Sequence, residues 1–319
     1  IEQSEGGAST SSSVFPMVTK ATLTGSVQSG KTPVVEYKEQ TASAWSTAAD
    51  VKTSGASFSA TIGGLRGGTA YDYRISVDNA QTGSGSFNTA GEIALTNGGF
   101  EDWSQDGKQW NPWPSGGTSF WGTGNPGAAA FIGNLTTPTT ESVSGKAALL
   151  ESKDAVIKLG AGNIFTGDFA LDGTNGVLQL GRPFTSFPTS LKFQYKYTST
   201  TINRIGQDVG SLENLRGRPD SCQIYIALSD KPEPYEIRTK PSVRQVFDKN
   251  DRNIIAYGEF ISGQSTTSYK QVEIPLEYRA TNRTPKYIVI VAAASKYGDY
   301  FIGGEGSILW IDEMELVYE

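Results

Sequence analysis

The run LKFQYKY alternates along its whole length, with Leu191, Phe193, Tyr195 and Tyr197 on one side and Lys192, Gln194 and Lys196 on the other. Successive strand side chains point to opposite faces, so this is the pattern of an antiparallel strand with one buried face. In KYIVIVAAAS both faces are apolar, which predicts a central strand covered on each side. Further strand candidates are GKAALLES, GVLQLG, SCQIYIALS, YKQVEIPLE and SILWIDEMELVYE, with no helical period of useful length between them. Two packed sheets in a jelly roll accommodate both kinds of strand. The 37 Gly, 14 Tyr and 14 Phe, against only 19% charged residues, favour turns and strands over long helices. The chain reads as all-β.

At 319 residues the chain is long for one core, and two domains are expected. Residues 1–13, IEQSEGGASTSSS, are poor in apolar side chains and read as a flexible tail. From 14 to 90 come ATLTGSV, TPVVEYKE, SFSATIGGL, TAYDYRISV and GSFNTAG, short strands at the spacing of a sandwich. Within them GLRGGTAYDYRISV resembles the entry to the sixth strand of a fibronectin type III domain. The resemblance implies an Ig-like sandwich with Leu65 and Tyr71 in a tyrosine corner. It leaves open whether Trp45 is the family's core tryptophan. Such modules act as spacers, and residues 91–319 are expected to form the second, functional unit.

Several function classes are disfavoured by the totals. A net charge of −6 with no basic stripe lacks the footprint of a nucleic-acid binder. No apolar run approaches the ~20 residues of a membrane span, and no signal peptide is visible. The one cysteine, Cys222, permits no internal disulfide and reads as a small buried residue. There is no histidine, which removes Ser-His-Asp and Cys-His nucleophile arrangements and His-ligated zinc. Any catalysis must use carboxylates, Tyr, Lys or an oxygen-held metal.

Residues 97–125, NGGFEDWSQDGKQWNPWPSGGTSFWGTGN, hold four of the six tryptophans, Trp103, Trp110, Trp113 and Trp121, among Gly, Pro, Asn, Ser and Thr. Rings on an aperiodic loop offer flat apolar faces beside polar groups, which suits stacking on a sugar. Covering the end of a sandwich is the alternative. Tyr297, Tyr300 and Phe301 in KYGDYFIGGEGS extend the candidate surface. That glycine-rich segment has neither the strand-to-helix setting nor the terminal Lys-Ser/Thr of a phosphate loop. Two polar connections, residues 198–219 and 228–252, are longer than ordinary loops and read as solvated surface loops.

Taken together, NGGFEDW, WGTGN, SGKAALLES, GRPFTSFPTSLKFQYKY and KYGDYFIGGEGSILWIDEMELVYE resemble a bacterial family, the putative carbohydrate metabolism domain. The resemblance spans 91–319. It implies a galactose-binding-like jelly roll akin to carbohydrate-binding modules, a polysaccharide partner, and export to the cell surface, outer membrane or periplasm of a Gram-negative bacterium. It brings no established catalytic pair. In such jelly rolls the first and last strands lie close, so Glu101 of NGGFE and Asp312 of WIDEMEL are expected to meet. Many related modules place a structural calcium there; solvated or ion-paired carboxylates are the alternative.

Asp102, Asp220, Glu259, Asp299 and Glu305 stand near glycines, aromatics or strand ends, but no motif singles one out as a proton donor. The expectation is therefore a non-catalytic glycan-binding protein using Trp103, Trp110, Trp113, Trp121, Tyr297 and Tyr300. A glycoside hydrolase with a carboxylate pair and an adhesive protein bound to surface partners stay open. A groove with rings, a cleft with two acids and a flat apolar patch would tell them apart.

Overall fold

The computed structural model describes residues 10–319; most of the expected tail, residues 1–9, lies outside the described residues. The last residues of that expected tail are ordered. Thr10 bonds Thr82 through backbone and hydroxyl, and the Ser12–Pro16 strand pairs with Ala21–Ser26. The Ser and Thr that lower the apolar content here are used in cross-strand bonds, Ser11 with Ser26, Ser12 with Tyr73 and Ser13 with Thr24.

Eight strands between Ser12 and Asn88 form two four-stranded antiparallel sheets. Between them Leu23, Val35, Phe58, Ile62, Tyr71 and Ile75 are buried in one core. The tyrosine corner is present: the Arg66 N–H donates to the Tyr71 hydroxyl at 2.9 Å, beside buried Leu65. Trp45 is half-buried outside this core, beneath the Arg74 guanidinium, 4.2 Å from its ring centroid.

The remaining strands build a nine-stranded sheet, a five-stranded sheet and two two-stranded ladders, Ser104–Asp106 with Gln109–Asn111 and Lys153–Asp154 with Leu159–Gly160. In the five-stranded sheet, Ser190–Thr198 lies between Lys270–Pro275 and Ile308–Val317. Its Leu191, Phe193, Tyr195 and Tyr197 all face the main core, as their alternation requires. In the nine-stranded sheet, Tyr287–Ala293 pairs with Asn163–Asp172 on one side and Cys222–Ser229 on the other. Ile288, Ile290 and Ala292 face the main core, while Val289 and Val291 face a second cluster on the outer side. The strand with two apolar faces is thus central and covered twice. Strands fill nearly half the chain and helices 5%, so the fold is all-β.

The connection 228–252 is less exposed than its Pro and charge suggest. Its Tyr235–Arg238 segment joins the nine-stranded sheet beside Asn175–Leu180. Phe247 then folds back and stacks on Tyr225, with ring centroids 5.2 Å apart. This covers one part of the sheet's outer face beside Tyr225 and leaves another part open. An apolar cluster of Met17, Val18 and Phe187, flanked by Phe15, Tyr278 and Tyr318, joins residues of the N-terminal sandwich to the larger sheets. Ser186 also donates to the Gly91 carbonyl.

Candidate functional site

The uncovered part of that outer face is the floor of a cleft of about 170 Å³. Register fixes what the floor presents. Cross-strand partners share a face, so the pairs Leu178–Phe169, Asn163–Ala293, Ala293–Gln223 and Val291–Tyr225 put these side chains on one surface. One wall is the short turn 125–133 with Ala128, Ile132 and Leu135; the other is the turn at 296–301 with Lys296, Asp299 and Phe301. Gly127 lets the first wall approach, since a methyl there would sit 3.1 Å from Leu171 Cδ2 and 3.4 Å from Phe169 Cζ.

The first wall is held by Asn125, fully buried, which spends its whole amide on backbone. Its nitrogen donates to the Trp110 and Thr136 carbonyls, each at 2.8 Å, and its oxygen accepts from Leu135 and Thr136 N–H. Asn134 accepts from the Trp110 N–H in turn. The Trp-rich segment therefore braces the cleft from behind.

None of the four tryptophans lines the cleft. Trp121 is fully buried, its N–H donated to the Thr96 and Asn97 carbonyls and its ring packed on Phe100 and Phe120. This corrects its expected exposure: a ring in the core cannot stack on a ligand. Trp103 is half-buried against the same core and donates to the Phe100 carbonyl at 2.7 Å. Trp110 and Trp113 are half-buried. Tyr297 and Tyr300 form an edge-to-face pair on the turn that supplies Asp299 and Phe301 to the cleft. Arg244 lies over Tyr300, 4.9 Å from its centroid.

Phe169, Tyr225, Gln223 and Lys158 were not singled out by the sequence. SCQIYIALS carries a usable signal, because Gln223 and Tyr225 alternate with the core residues Cys222, Ile224 and Ile226. NIFTGDFALD offers less, since its turn residues hide a ten-residue strand.

The acidic candidates separate by environment. Asp299, inside the cleft, is pushed up to about 6 by burial, with Arg244 pulling it back. Burial, then Asp299 and Tyr257, push the Tyr225 phenol well above its usual range. Asp220 is buried and accepts from Ser295 and Ser307 hydroxyls and the Gly304 N–H at 2.6, 2.9 and 2.8 Å. It pins three loops together; burial raises its pKa and these bonds moderate the rise. At Glu259 burial acts upward, but bonds from Tyr257, Lys249 and Gln223 hold the carboxylate below its ordinary value. Asp102 and Glu305 are exposed.

Glu101 and Asp312 do meet, and Glu313 joins them, with carboxylate oxygens within 4.8 Å of one another. Asp312 is buried and accepts from the Val143, Ser144 and Glu313 N–H groups; Glu101 accepts from Lys146 N–H. Burial and the neighbouring Glu101 are among the causes that raise the Asp312 pKa. An all-oxygen, acid-rich set fits a hard cation such as calcium in donor type.

Residues 99–317, more than two thirds of the chain, match the family described as putative carbohydrate metabolism domain. The chain belongs to this family. Two solved structures share the fold. One is a putative glycoside hydrolase from Bacteroides thetaiotaomicron, 20% identical over 81% of this chain and 81% of its own, with a TM-score of 0.55. The other is a putative glycoside hydrolase from Bacteroides vulgatus, also 20% identical, over 71% of this chain and 98% of its own, with a TM-score of 0.52. Among curated proteins none matches the sequence. The match gives the chain a carbohydrate-related domain, and among the described residues no helix is long and apolar enough to cross a membrane.

Proposed function

We propose that this protein binds a glycan without cleaving it, in the cleft on the outer face of the nine-stranded sheet. The observation that carries this reading is the cleft's composition: three aromatic rings, Phe169, Tyr225 and Phe301, and a single lining carboxylate, Asp299. Hydrolysis by the usual two-carboxylate routes needs a pair about 5–5.5 Å or about 6.5–9.5 Å apart. Rings beside a few polar groups suffice for binding. The family's link to carbohydrate metabolism supports the ligand class. Residues 14–90 serve as a spacer seated on the larger unit by the apolar cluster around Phe187. The site of action in this reading is the envelope of a Gram-negative bacterium, after export. Glu101, Asp312 and Glu313 hold a structural calcium that ties the first strand region to the last.

One observation favours hydrolysis as a second reading: a carboxyl raised to about 6 is suited to donating a proton. The test is to incubate the full chain with insoluble plant, host and microbial polysaccharides and measure both retention and released reducing sugar. Retention without release is expected. Release abolished in Asp299→Asn would replace binding with hydrolysis, and neither signal on a broad panel would transfer the reading to protein adhesion.

A further inference from the structure

The two sides of the cleft differ in what they can offer a ligand. On the side of the 296–301 turn stand groups free to bond a sugar: Asp299, Lys296, the Tyr225 phenol and the Gln223 carbonyl oxygen. On the side of the 125–133 turn the surface is hydrocarbon, from Ala128, Ile132, Leu135, Leu171 and Phe169. Most of the polar atoms that do lie there are already engaged. Lys158 donates to the Thr174 carbonyl and to Asn175 Oδ1, Thr239 donates to the Gly176 carbonyl, and Asn163 Oδ1 accepts from the Gly124 N–H.

The apolar side also continues outward. Among the described residues the three most exposed large apolar side chains are Phe131 at 88%, Val156 at 83% and Ile157 at 75%. Each lies within one or two positions of a cleft-lining residue, Ile132 for the first and Ala155 and Lys158 for the others. Their loops touch: a methyl on Gly160 would sit 3.1 Å from Ile132 Cδ1, and one on Gly133 3.4 Å from Lys153 Nζ. Isolated exposed apolar residues mean little, but a rim of them continuous with an apolar wall marks a binding surface.

An unsubstituted sugar, with hydroxyls around its whole edge, would leave those on the apolar side without partners, and unpaired buried hydroxyls cost binding. A ligand with one polar and one apolar end would not. The size of the space sets an upper limit: the whole cleft holds about 170 Å³, little more than the apolar cavity of about 150 Å³ that takes up benzene, so its apolar side has room for no more than one ring. We infer that the cleft recognises a sugar unit carrying a single-ring aromatic substituent, an aryl ester or aryl glycoside, with the ring on the apolar wall and the sugar against Gln223, Tyr225, Lys296 and Asp299. This rests on the glycan reading above and narrows it.

The experiment uses the full chain and two probe series, methyl and phenyl β-glycosides of xylose, glucose and galactose, with phenol as the sugar-free control, titrated by calorimetry. For at least one sugar the phenyl glycoside should bind ten-fold or more tightly than the methyl glycoside. Leu171→Asp, at a side chain 47% exposed and so compatible with folding, should reduce that ratio below about three-fold. Phe131→Ser should reduce it in the same direction. Equal affinity for the two series, with the sugars still bound, overturns the aromatic preference and leaves glycan binding standing. Binding of phenol with no contribution from any sugar, or no binding of any probe alongside no retention on polysaccharide, overturns both.

Discussion

The aromatic rings of residues 97–125 and those of the cleft are held in opposite ways. In the first region only short ladders form, Gln109–Asn111 on Ser104–Asp106 and Trp121–Gly122 on the nine-stranded sheet; there Trp121 is fully buried and Trp103 spends its N–H on the Phe100 carbonyl. In the second the chain is largely regular strand, yet Phe169 and Tyr225 stand half-exposed over open space. Rings on a segment with so little ladder can turn inward, and here they supply the burial that its few backbone pairings do not. Rings on a strand have their direction fixed by register, and are left exposed where the sheet has no cover. The covered and open parts of one sheet face show this directly, since Phe247 lies on one side of Tyr225 and the cleft on the other.

The comparison is broken most severely by Trp121→Ala. Removing a fully buried ring costs about 3–5 kcal/mol, so a large fall in the denaturant midpoint is expected, with the folded fraction retaining its glycan affinity. A variant of wild-type stability that fails to bind would return Trp121 to the ligand and reverse the roles of the two regions.

Removal of the proposed calcium comes next. Glu101 opens the Trp-rich segment, and an ion held by Glu101, Asp312 and Glu313 would anchor that segment to the Ile308–Val317 strand. A ligand bound only by the native state at a hundred times its Kd adds about 2.7 kcal/mol. A chelator should therefore lower the melting temperature, calcium should restore it, and magnesium should substitute poorly. A melting temperature indifferent to chelator would leave the cluster held by its backbone N–H bonds alone.

The extent to which this was legible in the sequence follows from the same contrast. Alternation in residues 191–197 specified a buried face, and two apolar faces in KYIVIVAAAS specified a central strand, because each is a local consequence of register. The tyrosine corner was legible for a similar reason, being a bond between Tyr71 and a backbone only five residues away. The cleft was not, because it depends on which strands become neighbours and on what the 228–252 connection covers. Phe301 was legible as a candidate surface ring, and its partners Phe169 and Tyr225 come from strands far away in sequence. Glu101 and Asp312 were placed together by an expectation of jelly-roll topology, and Glu313 joined through a backbone turned to a φ of 51°.

A smaller effect concerns pH and places charge in the comparison. The Asp299 carboxyl rises from the ordinary 3.8 to about 6 in the fold, so the native state holds its proton over a range where the unfolded chain has lost it. Between those values the native state binds more protons, and stability must fall as pH rises through this window. Arg244 opposes the shift, and the Tyr225 phenol stays neutral throughout. Urea midpoints should decline from about pH 4 to about pH 6 by more in the native sequence than in Asp299→Asn. Identical profiles for the two would show that the cleft end carrying Asp299 is wetter than its geometry implies.

The finest distinction is between single rings. A stacked aromatic contributes on the order of 1 kcal/mol, which corresponds to an affinity change of tenfold or less. Phe301 sits on the cleft lip with the Lys158 ammonium 4.6 Å from its centroid and belongs to none of the buried clusters. Phe301→Ala should therefore weaken glycan binding up to about tenfold while leaving the melting temperature within a degree or two of the parent. Trp113, half-buried and away from the cleft lining, should behave the other way: Trp113→Ala is expected to lower the melting temperature modestly and leave affinity unchanged. Measuring both variants by the same titration separates the regions even where each effect is small. If Trp113→Ala lost affinity and Phe301→Ala did not, the ligand would lie on the Trp-rich segment, and the cleft would be a feature of packing alone.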